Sequence, residues 1–268
     1  MTNGTSRTSQ AVALIRAGLD RPHSRDGDPA AQRGLCAGLD LTPPDRLRPS
    51  IELRTRYMDG RVTAAIAAGV RQVVICGAGL DDRALRFRTP GVRFFEVDHP
   101  ATQADKAARL AALGAGPAAG APDPVLVSCD FESGDVAAAL RAHGYRAAGA
   151  TLFLCEGLLV YLGRDTCDQL LASLAAVAGP GSTLAVTLAT YNSGEPSAVV
   201  VADANSRRRT AATEPWRTIL PAVEHLAMLA DAGWRITDIT DSPPAGADVS
   251  HGRRSLLVTA VPAARSGA

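Results

Sequence analysis

The chain has 268 residues, 46% of them apolar and 21% charged, with a formal net charge of +1. That length buries a full core and suits one large domain or one domain with an insertion, and the composition excludes a disordered chain. A charge so near zero provides no global field for nucleic acid or anionic membrane, and Arg207, Arg208 and Arg209 form the only tight basic cluster.

Lys106 is the single lysine among 28 Lys and Arg residues, a bias that reads as the coding habit of a GC-rich genome. The five cysteines, Cys36, Cys76, Cys129, Cys155 and Cys167, form no CxxC pair, and four lie in apolar segments as small buried hydrophobes. A disulfide scaffold or metal ribbon is not expected. Residues 1–10 are polar and unlike a signal peptide, and the most apolar segment, 151–162, is interrupted by Glu156. These features predict a cytoplasmic protein with no membrane or nucleic-acid partner.

Val12, Ile15 and Leu19 fall at helical spacing, and residues 22–49 are rich in Pro, Gly, Asp and Arg. A second helix is expected from Ser50, as N-cap, to Gly69, with Leu53, Tyr57 and Ile66 on one face. A regular alternation then begins. Strands are expected at 72–76, 92–97, 125–128, 150–155 and 182–188, and helices at 80–87, from Pro100 to near Gly114, and from Asp135. Cys167, Leu170, Leu171, Leu174 and Val177 make one apolar stripe before Gly179 and Pro180. A helix at 221–232 and strands at 234–239 and 255–261 complete the chain.

Strands alternating with helices predict an α/β fold, a parallel sheet with helices on both faces. The stretch 240–254 carries Pro243, Pro244 and no helical period, so it cannot supply the helical crossover of a parallel return. The last strand is therefore expected to run antiparallel. The prediction is a Rossmann-like sheet of seven strands, mostly parallel, under an N-terminal helical lid (1–69). The main domain spans 70–262, with a substrate-lid insertion near 190–217 and a disordered tail at 263–268.

Four constellations could carry chemistry. In Cys76-Gly77-Ala78-Gly79-Leu80-Asp81-Asp82, two glycines let a ligand approach the backbone, but Asp82 replaces the third glycine of a dinucleotide fingerprint. Asp81 places a carboxylate where a pyrophosphate would sit, which suits a cationic cofactor better. Asp98, in Phe95-Glu96-Val97-Asp98-His99-Pro100, follows Gly79 by nineteen residues, close to the spacing of a ribose-binding acid. His99 reads as a turn residue. In Cys129-Asp130-Phe131, the acid could accept from an adenine amino group while the ring covers the base. Glu156 ends an apolar strand at the carboxyl edge of the sheet and needs a cationic partner, either a ligand ammonium or a buried arginine.

Together GAGLDDRALRF, FFEVDHP, CDF and EGLLVYL, with ELRTRYMD before them and Glu214-Pro215-Trp216 after, resemble the leucine carboxyl methyltransferase-like family. The resemblance covers about Arg54 to Trp234 and implies a class I fold and S-adenosylmethionine as cofactor. By that resemblance Arg54 holds the cofactor carboxylate, Gly77 and Gly79 pass beneath the methionine moiety, and Asp98 binds the ribose. Asp130 and Phe131 take the adenine, and Glu156 takes the amine. The segment 25–29 matches the family pattern loosely, Asp82 stands where a small hydroxyl residue is usual, and no lysine near the N-terminus joins Arg54. Arg7 is the candidate substitute.

The function expected is O-methylation of a carboxylate, or a hydroxyl, on a small molecule or natural product of secondary metabolism. An ionised carboxylate needs no general base, which agrees with the lack of one in these motifs. Candidate acceptor-site residues are Tyr161, Arg83, Arg207, Arg208 and Arg217, with Tyr191 and Trp216 as walls. C-methylation beside the carbonyl of a 2-oxo acid is the alternative, with His225 and His251 as assisting bases. A non-catalytic cofactor-binding protein or an NAD-dependent oxidoreductase is the third reading. No metal site is expected, and a homodimer is left open.

Overall fold

Short apolar runs bounded by turn residues become strands. They are β1 (Gln72–Cys76), β2 (Arg93–Asp98), β3 (Val125–Ser128), β4 (Thr151–Cys155) and β5 (Thr183–Tyr191). The computed structural model describes residues 6–114, 121–191, 215–242 and 253–264. These five strands are parallel in the order β3-β2-β1-β4-β5. Every position of β1 and β4 is buried, so both read as unbroken apolar runs, as strands covered on two faces must.

Alternate residues of these strands face two cores. Val74, Cys76, Phe95, Val97, Phe153 and Cys155 pack towards α6 (Val136–Ala142) and α7 (Arg164–Val177). Val73, Ile75, Phe94, Leu152 and Leu154 pack towards α3 (Arg48–Ala67) and α4 (Arg83–Arg86). The stripe Cys167, Leu170, Leu171, Leu174 and Val177 is the buried face of α7, as its period predicts. Beyond the second core lie α1 (Arg7–Ala17), α2 (Ala31–Leu35) and α5 (Pro100–Leu113), joined through Leu35, Leu80, Leu110 and Leu113.

The chain closes with β6 (Leu220–Pro221), α8 (Ala222–Asp231), β7 (Trp234–Ser242) and β8 (Arg253–Pro262). β8 inserts antiparallel between β5 and β7, as expected from the lack of a helical period in the sequence 240–254. Among the described residues the sheet has eight strands rather than seven. The extra one, β6, pairs parallel with Thr190 and Tyr191, and two residues ending in proline carry no periodic signal. The helix expected at 80–87 shrinks to the four residues of α4, because Gly77 and Gly79 take φ values of +68° and +50° and the loop continues to Asp82. Within 22–49, the segment rich in Pro, Gly, Asp and Arg, α2 and a 3-10 turn at Asp45–Leu47 form. Most of the expected insertion, His251 and most of the tail lie outside the described residues.

Candidate active site

The strand order reverses between β1 and β4, and this is where open α/β sheets bind ligands at the strands' carboxyl ends. All four sequence constellations lie at the carboxyl ends of strands along this edge. After β1, the Gly77 and Ala78 amides donate to Val97 O at 2.8 and 3.3 Å, which pins the loop to β2. A Cβ on Gly77 would meet Leu158 Cδ1 at 2.9 Å, and one on Gly79 would meet Ser9 Oγ of α1 at 2.2 Å. Ser9 Oγ also accepts from Leu80 N at 3.3 Å, so α1 rests directly on the glycine loop.

Asp98 closes β2 with both carboxylate oxygens engaged. Oδ2 accepts from Gly79 N at 2.6 Å and Oδ1 from His99 N at 2.7 Å. Burial pushes its pKa up, against the pull of these amides. His99 caps α5 through Nδ1 and Ala101 N, a turn role as read. After β3, Asp130 accepts from Glu132 N at 3.0 Å and Ser133 Oγ at 3.2 Å, and half-buried Phe131 packs against the first core.

Glu156, at the end of β4, has cationic partners from three elements. Arg16 Nη2 of α1 lies at 2.6 Å, Arg54 Nε of α3 at 2.9 Å and Arg83 Nη1 of α4 at 2.8 Å. Arginine is thus the partner that the sequence left open. Burial raises the Glu156 pKa, but Arg16, Arg83 and Arg54 outweigh it and hold the group at about 2. The network extends inward. Asp81 pairs with Arg16 at 3.1 Å and Arg83 at 2.6 Å, and Asp59 with Arg21 at 2.8 Å and Arg83 at 2.7 Å. Asp82 pairs with Arg21 and Arg86, both at 2.7 Å.

Among the described residues, arginines 16, 21, 54, 83 and 86 face four carboxylates in this cluster, Asp59, Asp81, Asp82 and Glu156. One cation is therefore in excess. Arg54 is the partly open member, its side chain 21% exposed, and burial lowers its pKa despite Glu156. A ligand carboxylate beside Arg54 would balance the site.

One acceptor-site candidate and one candidate base are held inside the fold. Arg83 is 1% exposed and spends its guanidinium on Asp59, Asp81 and Glu156, so it braces the fold and cannot reach an acidic substrate. His225 is buried with Nε2 2.7 Å from Ala189 O, a contact that ties α8 to β5, and burial lowers its pKa. Arg7 is exposed, and Arg16 takes the place beside Arg54 that Arg7 was expected to fill. Half-buried Tyr161 stays near Arg54, and Arg217 pairs with Glu132 at 2.5 Å. Trp216 is 37% exposed, so it is not a core residue. Arg207, Arg208 and His251 are outside the described residues, as is the side chain of Tyr191.

Sequence reading missed Arg16, Asp59 and Lys106. Arg16 stands four residues after Val12, on the stripe that Val12, Ile15 and Leu19 define. An arginine at a stripe position was the available signal.

The depressed Glu156 predicts acid sensitivity. A carboxylate held below its ordinary value contributes stability above about pH 4.5, which is lost as pH falls towards about 2, on the order of a few kcal/mol. Asp81, lowered by Arg83, Arg16 and Lys106 against its burial, acts in the same direction. Urea midpoints are expected to fall steeply with acidification over that range. A flat profile would mean that the network is not ionised.

The family model for leucine carboxyl methyltransferase matches residues 9–175. A Mycobacterium marinum protein named for S-adenosyl-L-methionine-dependent methyl transfer is 34% identical over 243 residues, 84% of this chain and 74% of its own length. One so named from Parafrankia sp. (strain EAN1pec) is 38% identical over 198 residues, 68% of this chain; the match spans 63% of that relative. Two Mycolicibacterium smegmatis relatives are matched over 47% and 50% of their length. A Thermobifida fusca methyltransferase structure shares the fold with TM-score 0.61 at 16% identity, covering 98% of this chain and 96% of that one. Magnesium protoporphyrin IX methyltransferase from Synechocystis, solved with S-adenosylhomocysteine, does so with TM-score 0.53 at 12% identity over 87% and 93%. By the family match over residues 9–175 and the 34% identity to the Mycobacterium marinum relative, the chain belongs to the leucine carboxyl methyltransferase family of S-adenosyl-L-methionine-dependent methyltransferases.

Proposed function

We propose that this chain transfers the methyl group of S-adenosylmethionine to a carboxylate oxygen of a small molecule. The observation that carries the cofactor half is the mixed-charge cluster at the sheet edge. Glu156, Arg54 and Arg16 offer a zwitterion both an anion and an unbalanced cation, and Arg16 also pairs with Asp81 of the glycine loop. The fit extends to the rest of the ligand. Asp98 suits a ribose diol, and Phe131 and Asp130 suit an adenine face and its amino group. Arg83 N already donates to Asp81 Oδ1 at 2.8 Å, so the amide a pyrophosphate would use is taken, which counts against a dinucleotide.

Bound, the cofactor supplies an electrophilic methyl group on a sulfonium. The protein's part is orientation, which can contribute on the order of 7–11 kcal/mol in an in-line displacement. Arg54 and Arg16 would fix the carboxylate end and Glu156 the amine end. Leu158, packed against Gly77, would help keep water from the reacting atoms. A carboxylate acceptor is ionised at neutral pH, and none of the described groups near Glu156 is free to act as a base. This favours oxygen of a carboxylate over a carbon beside a carbonyl. Tyr161 and the chain around Trp216 would form the acceptor wall.

The test is calorimetric titration with S-adenosylhomocysteine and with NAD, followed by incubation with S-adenosylmethionine and a panel of carboxylic, phenolic and 2-oxo acids. Adenosyl binding and a mass gain of one methyl group that is lost on mild alkaline hydrolysis, as an ester is, are expected. An alkali-stable product would move the reading to carbon or to another oxygen, and NAD binding would overturn it.

A further inference from the structure

Every other cation in this chain is arginine, yet Lys106 is lysine, and it is 1% exposed. Its Nζ lies 2.5 Å from Glu96 Oε2 and donates to Asp81 O at 2.7 Å. Glu96, itself fully buried, stands two residues before Asp98 on β2 and so on the same face of the sheet. α5 is unusual in that its buried residues, Gln103 and Lys106, are both polar, and their spacing puts them on one side. Gln103 Nε2 donates to Glu96 O at 2.5 Å and Val127 O at 3.3 Å, which seats the helix on β2 and β3. One turn on, Arg109 donates to Leu35 O and Ala37 O. A compact ammonium meets two acceptors at this depth where a planar guanidinium is larger and directs its donors differently.

Beyond the backbone contacts to Val97 O, two side chains of β2 thus hold the glycine loop. Asp98 grips Gly79 N directly, and Glu96 grips Asp81 O through Lys106. We propose that Lys106 is a positioning residue for cofactor binding, a strut from Glu96 that sets the 77–82 loop against Asp98 and so presents the backbone that the adenosyl ligand meets. The proposal rests on the reading that this loop and Asp98 hold S-adenosylmethionine.

The strut has a pH signature. Burial pushes Glu96 up to about 7 against the pull of Lys106, and the carboxylates of Asp81 and Asp98 add to the rise. Those are the charged groups that face it, from α5, the loop and its own strand. Its neighbours across the sheet, Ile75 and Leu126, carry no charge. Protonation removes the partner that fixes the ammonium, so ligand affinity falls with acidification through neutrality.

The experiment is calorimetric titration of wild type, Lys106→Arg, Glu96→Gln and Asp98→Ala with S-adenosylhomocysteine at about pH 6 and about pH 8, with thermal melts of each. Lys106→Arg is expected to weaken binding about tenfold or more while still melting cooperatively. Wild type is expected to bind more weakly at the lower pH, and Glu96→Gln to lose that dependence. Wild-type affinity in Lys106→Arg, or an undiminished pH dependence in Glu96→Gln, overturns the strut. If Lys106→Arg does not fold, the isosteric Glu96→Gln comparison decides alone. Failure of wild type itself to bind overturns the cofactor reading and the strut with it, whereas loss in Asp98→Ala beside unchanged strut variants leaves the cofactor reading standing.

Discussion

Arg83→Met is expected to destabilise the protein by about 3–5 kcal/mol, the cost of leaving buried charges without their partner. Its guanidinium lies within 2.8 Å of carboxylate oxygens from Asp59, Asp81 and Glu156, and all three of those side chains are at most 4% exposed. Burying the arginine is itself unfavourable, so the pairs add little net stability over an apolar core. Removing one partner is different, because the remaining carboxylates must stay charged without compensation or take up protons. Arg83→Lys should recover only part of the loss, since one ammonium cannot match the fork that reaches three acids. Chemical denaturation checks this directly. A variant with an unchanged midpoint but a raised KM for an acidic acceptor would restore Arg83 to the substrate pocket.

The contrast between Arg83 and Glu156 shows what the chain order makes legible. Glu156 was visible because a charge inside an apolar strand run has to be accounted for, and strand ends at the carboxyl edge are where ligands bind. Its partners were not visible. Arg16, Arg54 and Arg83 come from three separate helices, and in a chain so rich in arginine none of them stands out by type. The same holds for Asp59, a mid-helix acid of α3 whose partners Arg21 and Arg83 lie 38 and 24 residues away. Helix periodicity and turn chemistry are local and fixed most of the elements. β6 escaped because only its tertiary pairing with β5 makes it a strand, and the length of α4 because the left-handed glycines carry the loop on to Asp82. Lys106 looked like an accident of composition, and its role follows from two acceptors that α5 meets only after β1 and β2 have paired.

Asp98 should give the largest effect on ligand binding. Asp98→Ala is expected to raise the Kd for S-adenosylhomocysteine about 30- to 1,000-fold, on the order of 2–4 kcal/mol for lost hydrogen bonds to a charged acceptor. Two losses combine. The ribose diol would lose its acceptor, and Gly79 N, now 2.6 Å from Oδ2, would lose the contact that holds the loop. Asp98→Asn separates them, because its amide oxygen can still accept from Gly79 N while the charge is gone. An intermediate Kd for the asparagine variant would show that both parts count, and one equal to alanine would assign the effect to charge. Thermal melts supply an independent reading, since a ligand at about a hundred times its Kd stabilises the native state by about 2.7 kcal/mol. Wild type should gain that shift at a ligand concentration where Asp98→Ala gains almost none. Equal shifts in the two proteins would remove Asp98 from the cofactor site and, with it, the ribose end of the proposed function.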